Sequence, residues 1–161
     1  MPRNIVLRRS KIHGNGVFAV RTLPKGKRVI RYGGKVLAQS VVDRRFGGDA
    51  DTGHTFLFTL NDRYVIDGAS GGNISRWINH SCEPNCETVW LEHEGGDKKK
   101  DRIYIETMRR IRPGEELTYD YGIVLEEPHT RRMKAIWACH CGAKRCTGTL
   151  LQPKPKKKKS A

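Results

Sequence analysis

The eight residues Asn79-His80-Ser81-Cys82-Glu83-Pro84-Asn85-Cys86 crowd an amide, an imidazole and two thiols into one short stretch, directly after the apolar Ile74-Ser75-Arg76-Trp77-Ile78. Three chemistries use such a set: a metal site, a thiol nucleophile paired with histidine, or a loop held rigid around a ligand, with Pro84 stiffening the chain. A second cluster narrows the choice. Cys139-His140-Cys141-Gly142-Ala143-Lys144-Arg145-Cys146 supplies three thiols within eight residues. A tetrahedral zinc site needs four N or S ligands. The fourth is drawn from Cys82, Cys86, His80 and His140, and a partner from the first stretch would staple the C-terminal segment onto it. Ordinary buried thiols are the alternative, but C-x-C-x-x-x-x-C amid Gly, Lys and Arg is a poor core pattern. An odd total of five cysteines also favours metal over disulfides in a reducing compartment.

A length of 161 residues bounds the chain to a single domain with a tail. No run approaches the eighteen or so apolar residues of a membrane span, and MPRNIVLRRSK lacks the apolar centre of a secretory signal. The expected location is intracellular, in the cytoplasm or with nucleoid or chromatin. The net charge of +14 is uneven: residues 1–45 carry +11, residues 46–128 carry −7, and residues 129–161 carry +10. Basic ends suit contact with DNA phosphates, and an acidic middle suits a basic peptide.

Short runs rich in β-branched and aromatic residues predict strands at 29–32, 55–60, 64–66, 88–91 and 102–107. Turn signals fall at 24–26, 33–34, 61–62, 95–97 and 112–114. Helical segments are few: 39–45, a turn near 74–77, and 130–137. The fold class expected is mostly β, built of several small sheets, with a disordered basic tail at 154–161. Gly14-Asn15-Gly16, taken alone, reads as a turn. Tyr119 and Tyr121, two apart in Gly114-Glu115-Glu116-Leu117-Thr118-Tyr119-Asp120-Tyr121-Gly122, share a face if extended and aim two hydroxyls into one pocket.

The order of these pieces resembles the SET-domain family of protein-lysine N-methyltransferases from about Lys11 to Leu151. The resemblance rests on Gly14-Asn15-Gly16, Tyr32-Gly33-Gly34, the run from Gly72 to Asn85, Gly114 to Tyr121, and the closing cysteines, which match a post-SET segment. It implies a SET-domain β-clip-like fold with knot-like C-terminal threading that brings Tyr119 and Tyr121 beside Asn79. The implied division is 1–122 SET domain, 123–152 zinc-stapled post-SET segment and 153–161 tail, a stand-alone arrangement of bacterial or viral type. The implied cofactors are S-adenosyl-L-methionine and Zn2+. Gly14, Asn15, Gly16, Tyr32, Arg76, Asn79 and His80 would hold the donor; Cys82, Cys139, Cys141 and Cys146 would hold the metal, leaving Cys86 as a buried small hydrophobe.

The activity implied is methyl transfer to lysines of histone-like or other basic proteins, through a channel lined by Phe56, Phe58, Tyr119 and Tyr121. Tyr121 takes the catalytic position and Tyr119 the switch position, where a hydroxyl restricts the product to lower methylation. Phe56 stands where many relatives have tyrosine, and this pulls the product degree the other way. Acidic residues at 83, 87, 92, 94, 97, 120, 126 and 127 are expected to rim the channel mouth, with the basic tail facing elsewhere toward phosphate. A non-enzymatic zinc protein that binds nucleic acid through its basic ends accounts for the charge but leaves the two-tyrosine strand unexplained. A methyltransferase acting on nucleic acid suits the tail but not a lysine-type pocket.

Overall fold

The computed structural model describes residues 4–46 and 52–154. In chain order these form β1 (Ile5–Arg9), β2 (Asn15–Ala19), β3 (Arg28–Arg31), β4 (Lys35–Ala38), α1 (Gln39–Phe46), β5 (Leu57–Thr59), β6 (Tyr64–Asp67), a 3-10 turn at Ile74–Trp77, β7 (Asn79–His80), β8 (Cys86–Leu91), a second 3-10 turn at Lys98–Lys100, β9 (Arg102–Thr107), β10 (Thr118–Tyr119) and α2 (Arg131–Ile136). The strands make four small sheets: the hairpin β1-β2, the antiparallel sheets β3-β9-β8 and β4-β6-β5, and the parallel pair β10-β7.

All five expected strands are present, as β3, β5, β6, β8 and β9. β5 is shorter than its apolar run because Thr55 Oγ1 accepts from the Leu57 N–H at 2.9 Å and starts a local turn. Strands β1, β2, β4, β7 and β10 were not expected. Ile5-Val6-Leu7-Arg8-Arg9 lacks alternation, and two-residue strands carry no period at all. The Gly-x-Gly is only half a turn. Gly14 takes φ +44° and its carbonyl accepts from Ser10 N at 2.7 Å, but Gly16 lies inside β2 opposite Arg8. A Cβ on Gly16 would sit 2.2 Å from Glu116 Oε1. Both helices fall where expected, and in α2 the flanking Thr130 and Trp137 are caps, with Thr130 Oγ1 accepting from Met133 N at 3.2 Å. Of the tail, only Pro153 and Lys154 lie within the described residues.

The main core joins Ile5, Val17, Leu23, Ile78, Ile105, Ile111, Leu117 and Tyr119. Full burial of one such aliphatic side chain is worth about 1.5–3 kcal/mol. Cys86 sits in this core with no exposure, and burial pushes its thiol up to about 12, so it packs as a small hydrophobe. A second cluster, Tyr32, Leu60, Ile66 and Ile103, is joined to the first through Phe58. The C-terminal segment has its own cluster of Met133, Trp137 and Leu151.

The parallel pair is held by a side chain. Asn85, buried, donates from Nδ2 to the Glu116 carbonyl at 2.8 Å and accepts at Oδ1 from Thr118 N at 2.9 Å, while its own N–H donates to Thr118 Oγ1 at 3.3 Å. Its amide thus serves as a third strand for the segment that becomes β10. Asn85→Ala leaves the Thr118 N–H and the Glu116 carbonyl unpaired in the core. The expected loss is about 2–4 kcal/mol by urea denaturation; a loss under about 0.5 kcal/mol would show that the lock is dispensable.

Candidate active site

A cleft of about 480 Å³ opens between the β1-β2 hairpin, the Ile74–His80 stretch and the C-terminal segment. Gly14, Asn15, Phe56, Arg76, Asn79, His80 and Tyr121 line it, so five of the seven expected donor-binding residues come together. Gly16 and Tyr32 do not reach its wall. Gly16 makes room for Glu116, and Tyr32, buried, donates its hydroxyl to the Phe56 carbonyl at 2.8 Å. Burial and the Asp67 carboxylate push the Tyr32 phenol above its ordinary range.

Asn79 ties the floor of this cleft to its wall. Its Nδ2 donates to the carbonyls of His13 at 3.2 Å and Asn15 at 2.9 Å, and to Glu116 Oε1 at 2.8 Å. Both Glu116 carboxylate oxygens accept from Ser10 Oγ at 2.8 Å. His80 is oriented through its ring: Nδ1 accepts from Tyr121 N at 3.0 Å, which puts the proton of the neutral imidazole on Nε2, 3.6 Å from Cys82 Sγ. Burial holds its pKa below the ordinary value, and Asp120, 3.7 Å away, partly offsets this. Arg76 lies over the rings of Phe56 and Trp77 at 5.6 and 5.1 Å and donates from one terminal nitrogen to the Gly68 carbonyl at 3.3 Å. Its Nε is buried without a hydrogen-bond partner among the described residues. A buried guanidinium nitrogen left unpaired at a cleft suits an anionic ligand group.

A second cleft of about 730 Å³ lies on the other side of Phe56 and Tyr121, and His54, Thr55, Ile123 and Trp137 also belong to both. Its lining includes Phe58 and four carboxylates, Asp43, Asp67, Glu126 and Glu127, with no Lys or Arg among the described residues. Of the acidic residues expected at the channel mouth, only Glu126 and Glu127 line it. Asp43 and Asp67 come instead from α1 and β6, which no reading along the chain placed there.

Tyr121 and Tyr119 do not share the pocket equally. Their rings are 4.9 Å apart, but Tyr119 is buried behind Phe58, 6.2 Å away, and lines neither cleft. Tyr121 lies past the end of β10 and lines both; its hydroxyl donates to the Ile78 carbonyl. Burial raises both phenols well above their ordinary range, with the Tyr121 charge adding to the effect at Tyr119 and Glu116 and Tyr32 adding to it at Tyr121. Both stay protonated, as fixed dipoles. Residues that the sequence did not flag complete the walls: His54 and Trp77 stack edge-on against Phe56 at 4.5 and 5.1 Å, and Trp137 closes the C-terminal side.

Cys82, Cys139, Cys141 and Cys146 converge, with their sulfurs all within 4.8 Å of one another and none in a disulfide. The 3.8 Å between Cys82 and Cys139 sulfurs matches the edge of a tetrahedron with metal–sulfur bonds of about 2.3 Å. Gly142 at φ +70° and Gly148 at φ +79° permit the tight knuckle, closed by Cys146 N to Ala143 O at 3.1 Å and Cys139 N to Gly148 O at 3.0 Å. Sharing protons among close thiols pulls them apart: burial pushes the Cys139 thiol up, and Cys141, despite some burial, is held down by hydrogen bonds from the Cys82 and Ala143 N–H groups. Four thiols arranged to shed protons fit a soft divalent metal. No helix among the described residues is long and apolar enough to cross a membrane.

The SET-domain family profile matches residues 14–122, more than half of the chain. Histone-lysine N-methyltransferase 2B of Homo sapiens is 41% identical over 140 residues, which cover 86% of this chain and 5% of that protein. Histone-lysine N-methyltransferase trithorax of Drosophila virilis is 37% identical over 139 residues, covering 86% and 3%. The H3 lysine-4 specific histone-lysine N-methyltransferase of Chaetomium globosum is 38% identical over 144 residues, covering 88% and 13%. This chain therefore spans only a small part of the length of these relatives. Because the profile runs from the hairpin wall of the smaller cleft, through the Asn79 floor, to the segment that carries Tyr121, the chain belongs to the SET-domain family.

Proposed function

We propose that the chain is an S-adenosyl-L-methionine-dependent protein-lysine N-methyltransferase acting on histone-like or other basic proteins. The observation that carries this reading is the pair of clefts that meet at Phe56 and Tyr121, one with an unpaired buried arginine nitrogen and the other rimmed only by carboxylates. Such a partition suits a reaction between a ligand with an anionic group and a cationic side chain arriving from the opposite side. Residues 1–122 act as the SET domain and 123–152 as a post-SET segment.

In the smaller cleft Gly14 and Asn15 form the wall for the donor, Asn79 and His80 its floor, and Arg76 the partner of its carboxylate. Gly16 and Tyr32 support that wall from behind. When bound, the donor supplies an electrophilic methyl group. A target lysine enters the larger cleft, drawn by Asp43, Asp67, Glu126 and Glu127, and meets the apolar rings of Phe58 and Phe56. Free lysine is only about 0.1% neutral near pH 7.4, a deficit of roughly 4 kcal/mol, and desolvation between these rings offsets part of it. The proton leaves to water. Tyr121, its hydroxyl fixed by the Ile78 carbonyl, holds the amine in line and stabilises positive charge through its oxygen. With Phe56 lacking a hydroxyl and Tyr119 buried behind Phe58, product degree turns on Tyr119 alone.

Cys82, Cys139, Cys141 and Cys146 hold one zinc ion, which fastens the segment bearing Ala138, Cys139 and His140 over the smaller cleft. Metal analysis is expected to give about one zinc per chain. Cys139→Ser should lose zinc and donor binding together, while Cys86→Ser should keep both; a fully active, metal-free protein would refute the assignment.

The catalytic assignment is tested with Tyr121→Phe on a histone peptide. Turnover is expected to fall by about 100-fold or more, with donor affinity by calorimetry changed less than about twofold. Unchanged turnover would make Tyr121 a packing residue. Tyr119→Phe should stay active and shift the product, by mass spectrometry, toward higher methylation; an unaltered product pattern would remove Tyr119 from the role.

A further inference from the structure

In a chain of net charge +14, the larger cleft is lined by four carboxylates and no described cation. The chain's own C-terminal run leaves the fold at the edge of that cleft. Leu151 bridges in parallel to Ile123, Gln152 N donates to the Ile123 carbonyl at 2.9 Å, and Gln152 Nε2 donates to Asp120 Oδ2 at 2.7 Å. Lys154 Nζ then donates to the carbonyls of Glu126 at 3.1 Å and Glu127 at 2.7 Å, two lining residues. Thus Lys154 does not face away from the channel, as the sequence led one to expect of the tail. It docks on the rim.

Beyond it the sequence reads Pro155-Lys156-Lys157-Lys158-Lys159. Residues 151–154 run alongside 123–127 and away from Tyr121, so the following residues must reverse to enter the cleft. Pro155 suits that reversal. At about 3.3 Å per extended residue, the four or five residues after a turn span roughly 15 Å, and a lysine side chain adds about 6 Å. This matches the length of the 121–127 wall, about 20 Å if extended.

We propose that the lysine run 156–159 occupies the acidic cleft of its own chain, and that one of these lysines is a site of self-methylation. The proposal rests on the methyltransferase reading above. In the step, the neutral Nζ of the tail lysine forms a bond to the donor's methyl carbon, the sulfur–carbon bond breaks with its electron pair staying on sulfur, and the Nζ proton passes to water. The products are methyl-lysine and S-adenosylhomocysteine. Until it is displaced, the tail competes with any other basic substrate.

Two measurements decide it. First, the protein is incubated with S-adenosyl-L-methionine, with and without a histone tail peptide, and digested for mass spectrometry. Methylation within 156–159, at a per-molecule rate that does not change over about a hundredfold range of protein concentration, supports occupancy in cis. A rate that rises in proportion to protein concentration, or labelling of the peptide with none within 156–159, overturns it. Labelling of neither protein nor peptide overturns the methyltransferase reading and this inference with it. Second, with no donor present, a synthetic Lys154–Ala161 peptide is titrated by fluorescence anisotropy into the full chain and into a chain ending at Lys154. Binding at least about tenfold tighter to the shortened chain is expected, because the tethered copy no longer competes. Equal affinity overturns the proposal. Replacing Lys156 to Lys159 together by arginine should abolish self-labelling while the peptide is still methylated.

Discussion

Everything at the candidate active site depends on a parallel ladder two residues long, Thr118 against Asn79 and Tyr119 against His80. Its strands are 39 positions apart, so closing the loop costs entropy that two residues of backbone pairing cannot offset alone. The compensation comes from side chains that act as backbone. Asn85 pairs with the Thr118 N–H and the Glu116 carbonyl, and Asn79 pairs with two carbonyls of the hairpin and with Glu116. Glu116 is therefore the point where hairpin, floor and ladder meet, and the Gly16 backbone passes it closely because no Cβ is there.

That dependence explains which parts of the fold could be read along the chain. The antiparallel strands β6, β8 and β9 announce themselves through β-branched runs between turns, and α2 through its flanking Thr130 and Trp137. The ladder could not be read by period, and only the resemblance carried by Asn79 to Asn85 and Gly114 to Tyr121 brought Tyr121 to Asn79. The thiols behaved likewise: three are neighbours in sequence, while Cys82 as the fourth is a matter of topology. Asp43 and Asp67 at the larger cleft had no legible signal, since their carboxylates converge only after α1 and β6 pack.

Charge separation follows from the same arrangement. Basic residues dominate both ends of the chain, yet the larger cleft is walled by aromatic rings and carboxylates drawn from α1, β6 and the segment after β10. A cleft with low-dielectric walls and one sign of charge focuses its field, so four acids act locally against a much larger opposite total. Overall charge therefore says little about what this face attracts.

The cluster of Met133, Trp137 and Leu151 shares no buried member with the main core, yet the residues around it, from Ala135 to His140 with Leu150, form one side of the smaller cleft. A wall with its own small core opens at a free energy below that of global unfolding. Whatever binds in that cleft must then supply the work of ordering the wall, and its measured affinity is the contact energy less that cost. Two relatives with identical contact residues can therefore differ in ligand affinity through the packing of Met133 and Leu151 alone, side chains that lie behind the surface the ligand touches.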